Sequence, residues 1–534
     1  MDVLENQQWL LSLGTFLPIA GVLVMLFIPK REEALVKGTA VFTALATLAV
    51  GVYTLTQFDY GHSATQQFFT TNNWIRPIKA TYTIGLDGIS LPLYLLSMVI
   101  TVLVMIYSWD HIPSPGNPKA FFILMLVLQT GMAGTFIAQD LILFFVFFEL
   151  VLLPMYFMIG VWGGENRQYA SLKFFLYTMF GSALMLVAFI ALFVVSKNGL
   201  PPEVAANASF KFQWFLEHGS GIAKNTAIWI FAGMFIGFAV KVPMFPFHTW
   251  LPDAHTEAPT QGSVILAAIL LKLGTYGFVR IALPFLPQAA VKWAPVIGVL
   301  AVVGIIYGAL GCLAQTDMKR LIAFSSVAHM GFVMLGISTL TTLGIDAAIF
   351  GMVAHGLITG MLFFLAGSVK ERYHTLQISR LSGMLKQMPR LGWILGFCAM
   401  ASLGLPGLAG FWGEFPAILS AYSPAGGLSL ALFRTLMVIA AVGTVLAASY
   451  LLWLYQRTAF GEPTAEFSGH GSHAHAAGAA ANDEHHDDIH DVTIFEWIAW
   501  TPLLIAIVVL GVYPQLLFKI MDPAVEQLTA VFRK

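Results

Sequence analysis

Charge is what this chain has least of. Only 10% of its 534 residues are Asp, Glu, Lys or Arg, where soluble domains run near a quarter. The net charge of −1 gives no field that would draw a nucleic acid. Two cysteines, Cys312 and Cys398, each lie inside an apolar run and supply neither a disulfide framework nor the ligands of an iron–sulfur cluster. There is no GxxxxGK phosphate loop, no GxGxxG opening a helix after a strand, and no histidine pattern strong enough for haem. No cofactor is therefore expected in this chain, and whatever energy it uses comes from partners. Ahead of the first apolar run stand acidic Asp2 and Glu5 rather than a basic stretch, so Trp9 to Ile28 reads as a retained span and not a signal peptide.

Hydrocarbon is what the chain has most of. It is 58% hydrophobic, with mean hydropathy +0.78, and repeated apolar runs reach the roughly 20 residues that cross a bilayer. The class is an all-α polytopic membrane protein, because these runs are too long for barrel strands. About fourteen spans are expected, near 9–28, 39–57, 91–109, 119–138, 141–161, 171–196, 226–250, 261–283, 293–314, 320–339, 344–368, 391–421, 431–456 and 498–519. Even parity puts both termini on one side. Lys and Arg concentrate in the loops after odd-numbered spans, among them Lys30, Arg31, Lys319, Arg320, Arg380 and Arg390, which places the termini outside. Residues 58–90 and 197–225 read as packed polar caps on that outer face. Residues 461–492, with His470, His473, His475, His485, His486 and His490, read as a solvated inside loop whose irregular histidine spacing is weak for a metal site.

Two of the spans are broken. Around Lys241 the sequence reads AVKVPMFPFHTWLPDAHTEAPT, and Pro243 and Pro246 forbid a continuous helix. Five spans later Gly404, Pro406, Gly407, Gly410 and Gly413 interrupt SLGLPGLAGFWGEF. FIAQDLILFF at Phe136 and CLAQTDMKRL at Cys312 also share an Ala-Gln-Asp lead-in. Two discontinuous helices at matching positions point to two inverted five-helix repeats, spans 4–8 and 9–13, as in many secondary transporters. The organisation is then residues 1–118 for the first spans and outer loop, 119–283 and 293–456 for the two repeats, 457–497 for the His-rich loop, and 498–534 for span 14.

Buried charge needs a reason in such a chain. Glu149 lies nine residues after Asp140, ~13 Å into its span. Lys272 is equally deep, and Lys241 and Glu414 each adjoin a break. A charge at the bilayer centre costs roughly 2.5–3.5 kcal/mol on insertion scales. Four of them, two of each sign, make sense facing the bundle interior, paired and reached by water. His329 and His355 lie mid-span in consecutive helices, each two residues after a valine in Val-Ala-His, and Ser325 shares a face with His329. His248, beside the first break, joins the candidates. Burial disfavours a charged lysine and a nearby carboxylate restores it, so a Glu–Lys pair that opens and closes is a switchable proton donor; histidine carries a proton onward. The expected row is Glu149, Lys241, Lys272, His329 or His355, Glu414. Blander readings stand beside it. Glu149 with a lysine also fits a static ion pair, Lys241 a plain helix end, Glu414 a helix cap, and the histidines ordinary packing. HTWLPDAHTEA, with His248 and His255, has acids nearby but no recognised zinc spacing.

The stretch from Ala239 to Thr260, with GLDGISLPL at Gly85, LFFVFFELVLLPMY around Glu149 and FWGEF around Glu414, resembles the antiporter-like membrane subunits of respiratory complex I over nearly the full chain. The resemblance implies that Glu149 pairs with Lys241, that Lys272 is the central lysine of the eighth span, and that Glu414 is the ionisable residue of the twelfth. Glutamate there is the M-type pattern; the L and N types, and the matching subunit of multisubunit sodium/proton antiporters, carry lysine. The implied activity is proton translocation driven by NADH:quinone oxidoreduction, with no redox site in this chain. NADH, FMN, iron–sulfur clusters and quinone would sit in partner subunits. Partners would be L- and N-type and small membrane subunits, a peripheral NADH-oxidising arm, and lipid, in a bacterial plasma membrane. The alternatives are a subunit of a standalone sodium/proton antiporter and a structural spacer. The His-rich loop has no counterpart in the family pattern.

Overall fold

In lipid each backbone N–H and C=O must find its partner within its own segment, so the long apolar runs close on themselves as helices. The computed structural model describes residues 7–468 and 489–533. Among the described residues, twelve helices are long and apolar enough to cross a membrane. The first are α1 (Trp9–Phe27) and α2 (Glu33–Gln57). The cap expected at 58–90 contains an antiparallel hairpin, β1 (Gln67–Ile75) with β2 (Ala80–Leu86), paired from Gln67↔Leu86 to Ile75↔Ala80. There follow α3 (Ser90–Tyr107), α4 (Pro118–Ile137), α5 (Leu141–Trp162) and α6 (Arg167–Val195). After two short helices come α7 (Lys224–Lys241), α8 (Trp250–Glu257), α9 (Thr260–Phe285), α10 (Pro287–Leu313), α11 (Met318–Ser338) and α12 (Thr342–Tyr373). The chain finishes with α13 (Pro389–Ser402), α14 (Ala409–Ser420), α15 (Leu430–Ala459), α16 (Ile494–Val512) and α17 (Gln515–Thr529).

Both expected breaks are present. α7 stops at Lys241, just before Pro243, and α8 starts only at Trp250. The carbonyls freed at the end of α7 are taken over locally: the Trp250 indole donates to Val240 at 2.9 Å and the Met244 amide to Ala239 at 2.9 Å. α13 and α14 are parted by Gly404 and Gly407, whose φ of +81° and +93° suit glycine. Span 14 departs from the 498–519 reading. α16 begins at Ile494 and ends at Val512, and α17 turns away after Pro514, because proline cannot supply the next helical N–H.

The boundary at 457–497 also moves. Helix continues to Ala459 and resumes at Ile494, while residues 461–468 are fastened to the loop before α13 by Lys386–Glu462 and Arg380–Glu466 ion pairs. His470, His473, His475, His485 and His486, on which the solvated-loop and metal readings rested, lie outside the described residues. At the centre stands α12, buried at every residue from Gly344 to Val369 and packed on α11, α14, α9 and α16. Large apolar side chains such as Phe42, Trp229 and Trp393 cover the outside, a surface suited to lipid.

Candidate functional site

α9 is not a plain helix around Lys272. Two π-helical turns, Leu266–Leu270 and Phe278–Ala282, bracket it, and such turns shift the backbone bonding by one residue and free local acceptors. The Lys272 ammonium uses one: its Nζ donates to the Ala267 carbonyl at 2.5 Å and reaches His355 Nδ1 on α12 at 2.7 Å. Lys272 is 0% exposed. From there the histidines expected in the row meet each other. The His355 and His329 rings lie 6.0 Å apart, and His329 Nδ1 on α11 donates to Glu414 Oε1 on α14 at 2.6 Å. Four helices thus contribute one group each to a continuous set.

Between those groups lies a cavity of about 20 Å³, lined by His329, His355, Thr359, Ser402 and Glu414 with small residues such as Gly351 and Gly413. One water needs roughly 10–15 Å³. Two polar atoms in this region, His355 Nε2 and Glu414 Oε2, are buried with no partner of their own, an arrangement that costs free energy unless something bridges them.

Glu149 and Lys241 form a second centre. Pro154 cannot donate to the Leu150 carbonyl, and α5 bends at Val151, next to Glu149. Lys241 ends α7, where the helix dipole favours a cation. The two do not touch as an ion pair: Lys241 Nζ and Glu149 Oε1 are both buried without a hydrogen-bond partner. The ammonium lies 4.9 Å from the centre of the Phe148 ring instead. The close pairing expected from the sequence is an open one here. No contact joins Lys241 to Lys272 among the described residues, so the row has a gap in its middle.

The remaining expectations fare unevenly. His248 is buried, but against Phe245 and Tyr307 and away from the His355 cluster. Ser325 turns its hydroxyl to the Ile322 carbonyl rather than to His329. The partners of His329 Nε2 are Ser402 Oγ at 3.2 Å and Tyr450 Oη at 3.1 Å, from two other spans, and no spacing in the sequence announces them. Glu414 caps no helix; it lies inside α14, bonded to His329. His255 was passed over for the row. Its ring is 0% exposed, stacks on Phe363 at 4.4 Å, has neither nitrogen partnered, and lies within electrostatic reach of Lys272 and Lys319. Its only sequence signal is its place seven residues, two helical turns, after His248.

Residues 138–442 match the family described as NADH:quinone oxidoreductase/Mrp antiporter, transmembrane, and residues 13–135 match NADH-ubiquinone oxidoreductase chain 4, amino terminus. The chain is 39% identical to a Rhodobacter capsulatus protein named NADH-quinone oxidoreductase subunit M, over 98% of this chain and 96% of that one. It is similar to a chain of respiratory complex I from Thermus thermophilus, solved with bound NADH, with a TM-score of 0.82 at 27% identity, covering 98% of this chain and 99% of that one. A chain of the Mrp complex from Dietzia shares the fold, with a TM-score of 0.81 at 19% identity over 99% of each chain.

Proposed function

We propose that the buried row moves protons, and the premise is membership: the chain belongs to the family of NADH:quinone oxidoreductase membrane subunits, as one of the M type. It is a multi-pass membrane subunit of the proton-translocating complex I, and its partners are other membrane subunits of that complex. Adjoining subunits of the L and N types, and a peripheral arm holding FMN, the iron–sulfur clusters and the NADH and quinone sites, complete our reading. This chain itself needs no cofactor. The two broken spans, α7 with α8 and α13 with α14, added to the twelve continuous ones, make fourteen. They support two inverted repeats, 119–283 and 293–456, with both termini outside a bacterial plasma membrane.

The observation that carries the reading is the contact set Lys272–His355–His329–Glu414 around its small polar cavity. In one transfer, Lys272 Nζ gives a proton to His355 Nδ1, and His355 Nε2 releases its own proton across the cavity to Glu414 Oε2. Lysine is left neutral, the imidazole changes tautomer, and the glutamate becomes an acid. His329 already donates Nδ1–H to Glu414 Oε1, so it takes a further proton only at Nε2, from the Ser402 or Tyr450 hydroxyl. Glu149 and Lys241 form the gate. Their open geometry leaves the ammonium and carboxylate within electrostatic reach but without a hydrogen bond, and closure would hold the proton on Lys241. His255, within electrostatic reach of both Lys272 and Lys319, serves the uptake arm; His248 we assign to the same arm. The test is Glu149→Ala and Lys241→Ala in the assembled complex, reconstituted in vesicles. Both are expected to abolish proton pumping coupled to quinone reduction. Normal proton-to-electron stoichiometry in both would overturn these assignments.

A further inference from the structure

We propose that His111 and Glu371, at the end of the bundle where α3 and α12 finish, form a proton-loading pair that feeds the buried row. The inference rests on the proton reading above and adds an uptake site to it. His111 lies in the turn after α3 and Glu371 in the last turn of α12. That end is opposite to the one where α12 begins and α17 packs on it.

Hydrogen-bonding chemistry makes the case. His111 Nδ1 faces the Tyr107 carbonyl at 2.9 Å, and Nε2 faces Glu371 Oε2 at 3.1 Å. Both neighbours are acceptors. A neutral imidazole has one N–H and can satisfy one of them; only the imidazolium, or a protonated Glu371, satisfies both. The pair is therefore built to hold one proton more than its neutral-ring, ionised-carboxylate form. The Tyr107 ring stacks on the imidazole at 4.3 Å, and its hydroxyl donates to Glu371 Oε1 at 3.3 Å. The His111 side chain is 12% exposed and Glu371 is 41% exposed, so the imidazole is sheltered while the carboxylate meets water. A proton captured from solvent by the carboxylate thus has a sheltered acceptor beside it.

The surrounding charges leave that role to these two. From α16 comes Glu496, but Arg372 NH1 and NH2 and Ser368 hold its oxygens, and the Thr493 amide takes Oε2 as well. Glu496 is thus committed, although its oxygens lie within 4.8 Å of the His111 and Glu371 atoms. Arg372 is spent on it in turn, which argues against a cation site at this cluster. Asp110 is the neighbour of His111 in sequence, and Lys37 on α2 is tied to the Trp109 carbonyl at 2.8 Å. On α9 the Gln261 amide donates to the His111 carbonyl. Burial by itself depresses the imidazole pKa, but the hydrogen bond and charge of Glu371 outweigh it and leave His111 above its ordinary value. Inward from the pair the polar groups continue as Gln261 and Ser263 on α9, and Ser263 donates to the His255 carbonyl at 3.0 Å.

The experiment compares Glu371→Gln, Glu371→Asp and Lys272→Ala in the intact complex in vesicles, with the pH varied on the side of the Glu371 loop. Removing the carboxylate takes away the hydrogen bond and charge that hold the imidazole pKa up, so the protonated fraction falls most at high pH. E371Q should therefore lose much of its coupled proton transport at pH 8 and little at pH 6. E371D, which keeps the charge, should recover most of the pH 8 rate relative to E371Q. The imidazole's own titration, followed by isotope-edited infrared spectroscopy of labelled histidine, should move down in E371Q. If K272A abolishes pumping while E371Q leaves the pH profile and the titration unmoved, the loading pair is wrong and the row stands. If K272A pumps normally, the row itself is wrong. An equal loss in E371Q at every pH, unrelieved in E371D, would make the pair structural and overturn the proposal.

Discussion

At His329 the two ring nitrogens face opposite chemistry. Nδ1 points at a carboxylate oxygen, Glu414 Oε1, and must carry its proton; Nε2 points at two hydroxyls, Ser402 and Tyr450, that either give or accept. The neutral ring accepts at Nε2 and the imidazolium donates there, so both protonation states are satisfied without rearranging the helices. That is the property a relay group needs. Positioned acid–base groups contribute about 10²–10⁴-fold to proton transfer. Proton pumping should therefore fall by about a hundredfold or more in His329→Ala, which also strands Glu414. Tyr450→Phe leaves Ser402 in place and should cost only about two- to tenfold, since one neutral hydrogen bond contributes ~0.5–1.5 kcal/mol. Pumping assayed in vesicles alongside quinone reduction separates the two variants. Equal losses, or none in His329→Ala, would remove His329 from the path.

Each charged group in the row sits where a helix is irregular: the α5 bend at Glu149, the α7 end at Lys241, the π-turns around Lys272, and the break before Glu414. A regular helix keeps its carbonyls for itself; an interrupted one offers them to a side chain or to water, as Ala267 does to Lys272. Gly404 joins the break to the site. Its φ is +81°, and a methyl group there would stand 3.2 Å from Glu414 Oε2. Gly404→Ala combines left-handed strain of about 1–2 kcal/mol with crowding of the carboxylate. Pumping is expected to fall further than the amount of assembled complex, measured on one preparation; an unchanged pumping rate per complex would show that the break does not position Glu414. Elements are also held by charge: Arg372 on α12 grips Glu496, which closes the capping box of α16 with Thr493, and both charged side chains are at least 98% buried. Removing one partner of such a pair costs about 3–5 kcal/mol, so Glu496→Ala should lower the thermal stability of the complex markedly and Arg434→Ala, an exposed control, hardly at all. The proline and glycine breaks and the deep charges are legible in the sequence because backbone chemistry and burial cost are local rules. The π-turns, Tyr450 and Ser402 beside His329, and the open Glu149–Lys241 geometry are not, because each is set by which helices meet. Span 14 ends at Val512 and not at 519, because Pro514 stops the helix inside a run that stays apolar.

From Lys272 to Glu414 the groups form one set, parted from Glu149 and Lys241 by a gap, and no hydrated ion has to follow it. Residues 138–442 match a family whose description names both NADH:quinone oxidoreductase and the Mrp antiporter, so the nature of the carried ion is to be read from this chain's own side chains. A sodium ion needs a cage of oxygens. Along the line from Lys272 to Glu414 the donors are an ammonium, two imidazoles and, of carboxylates, only Glu414, with the Thr359 and Ser402 hydroxyls at the cavity. A cavity of about 20 Å³ takes one water, not an ion with its coordination shell. A cation passing ~4 Å from a charged Lys272 is also opposed by about 4 kcal/mol at an effective dielectric of 20. A proton avoids both costs, because it moves by exchange of bonds and the lysine is neutral after giving it up. Pumping by the intact complex should therefore be the same with potassium as the sole alkali cation as with sodium, and a sodium gradient imposed across vesicles should drive no proton flux through this subunit. A sodium requirement that disappears in Lys272→Ala would reverse the conclusion and make the row a cation path.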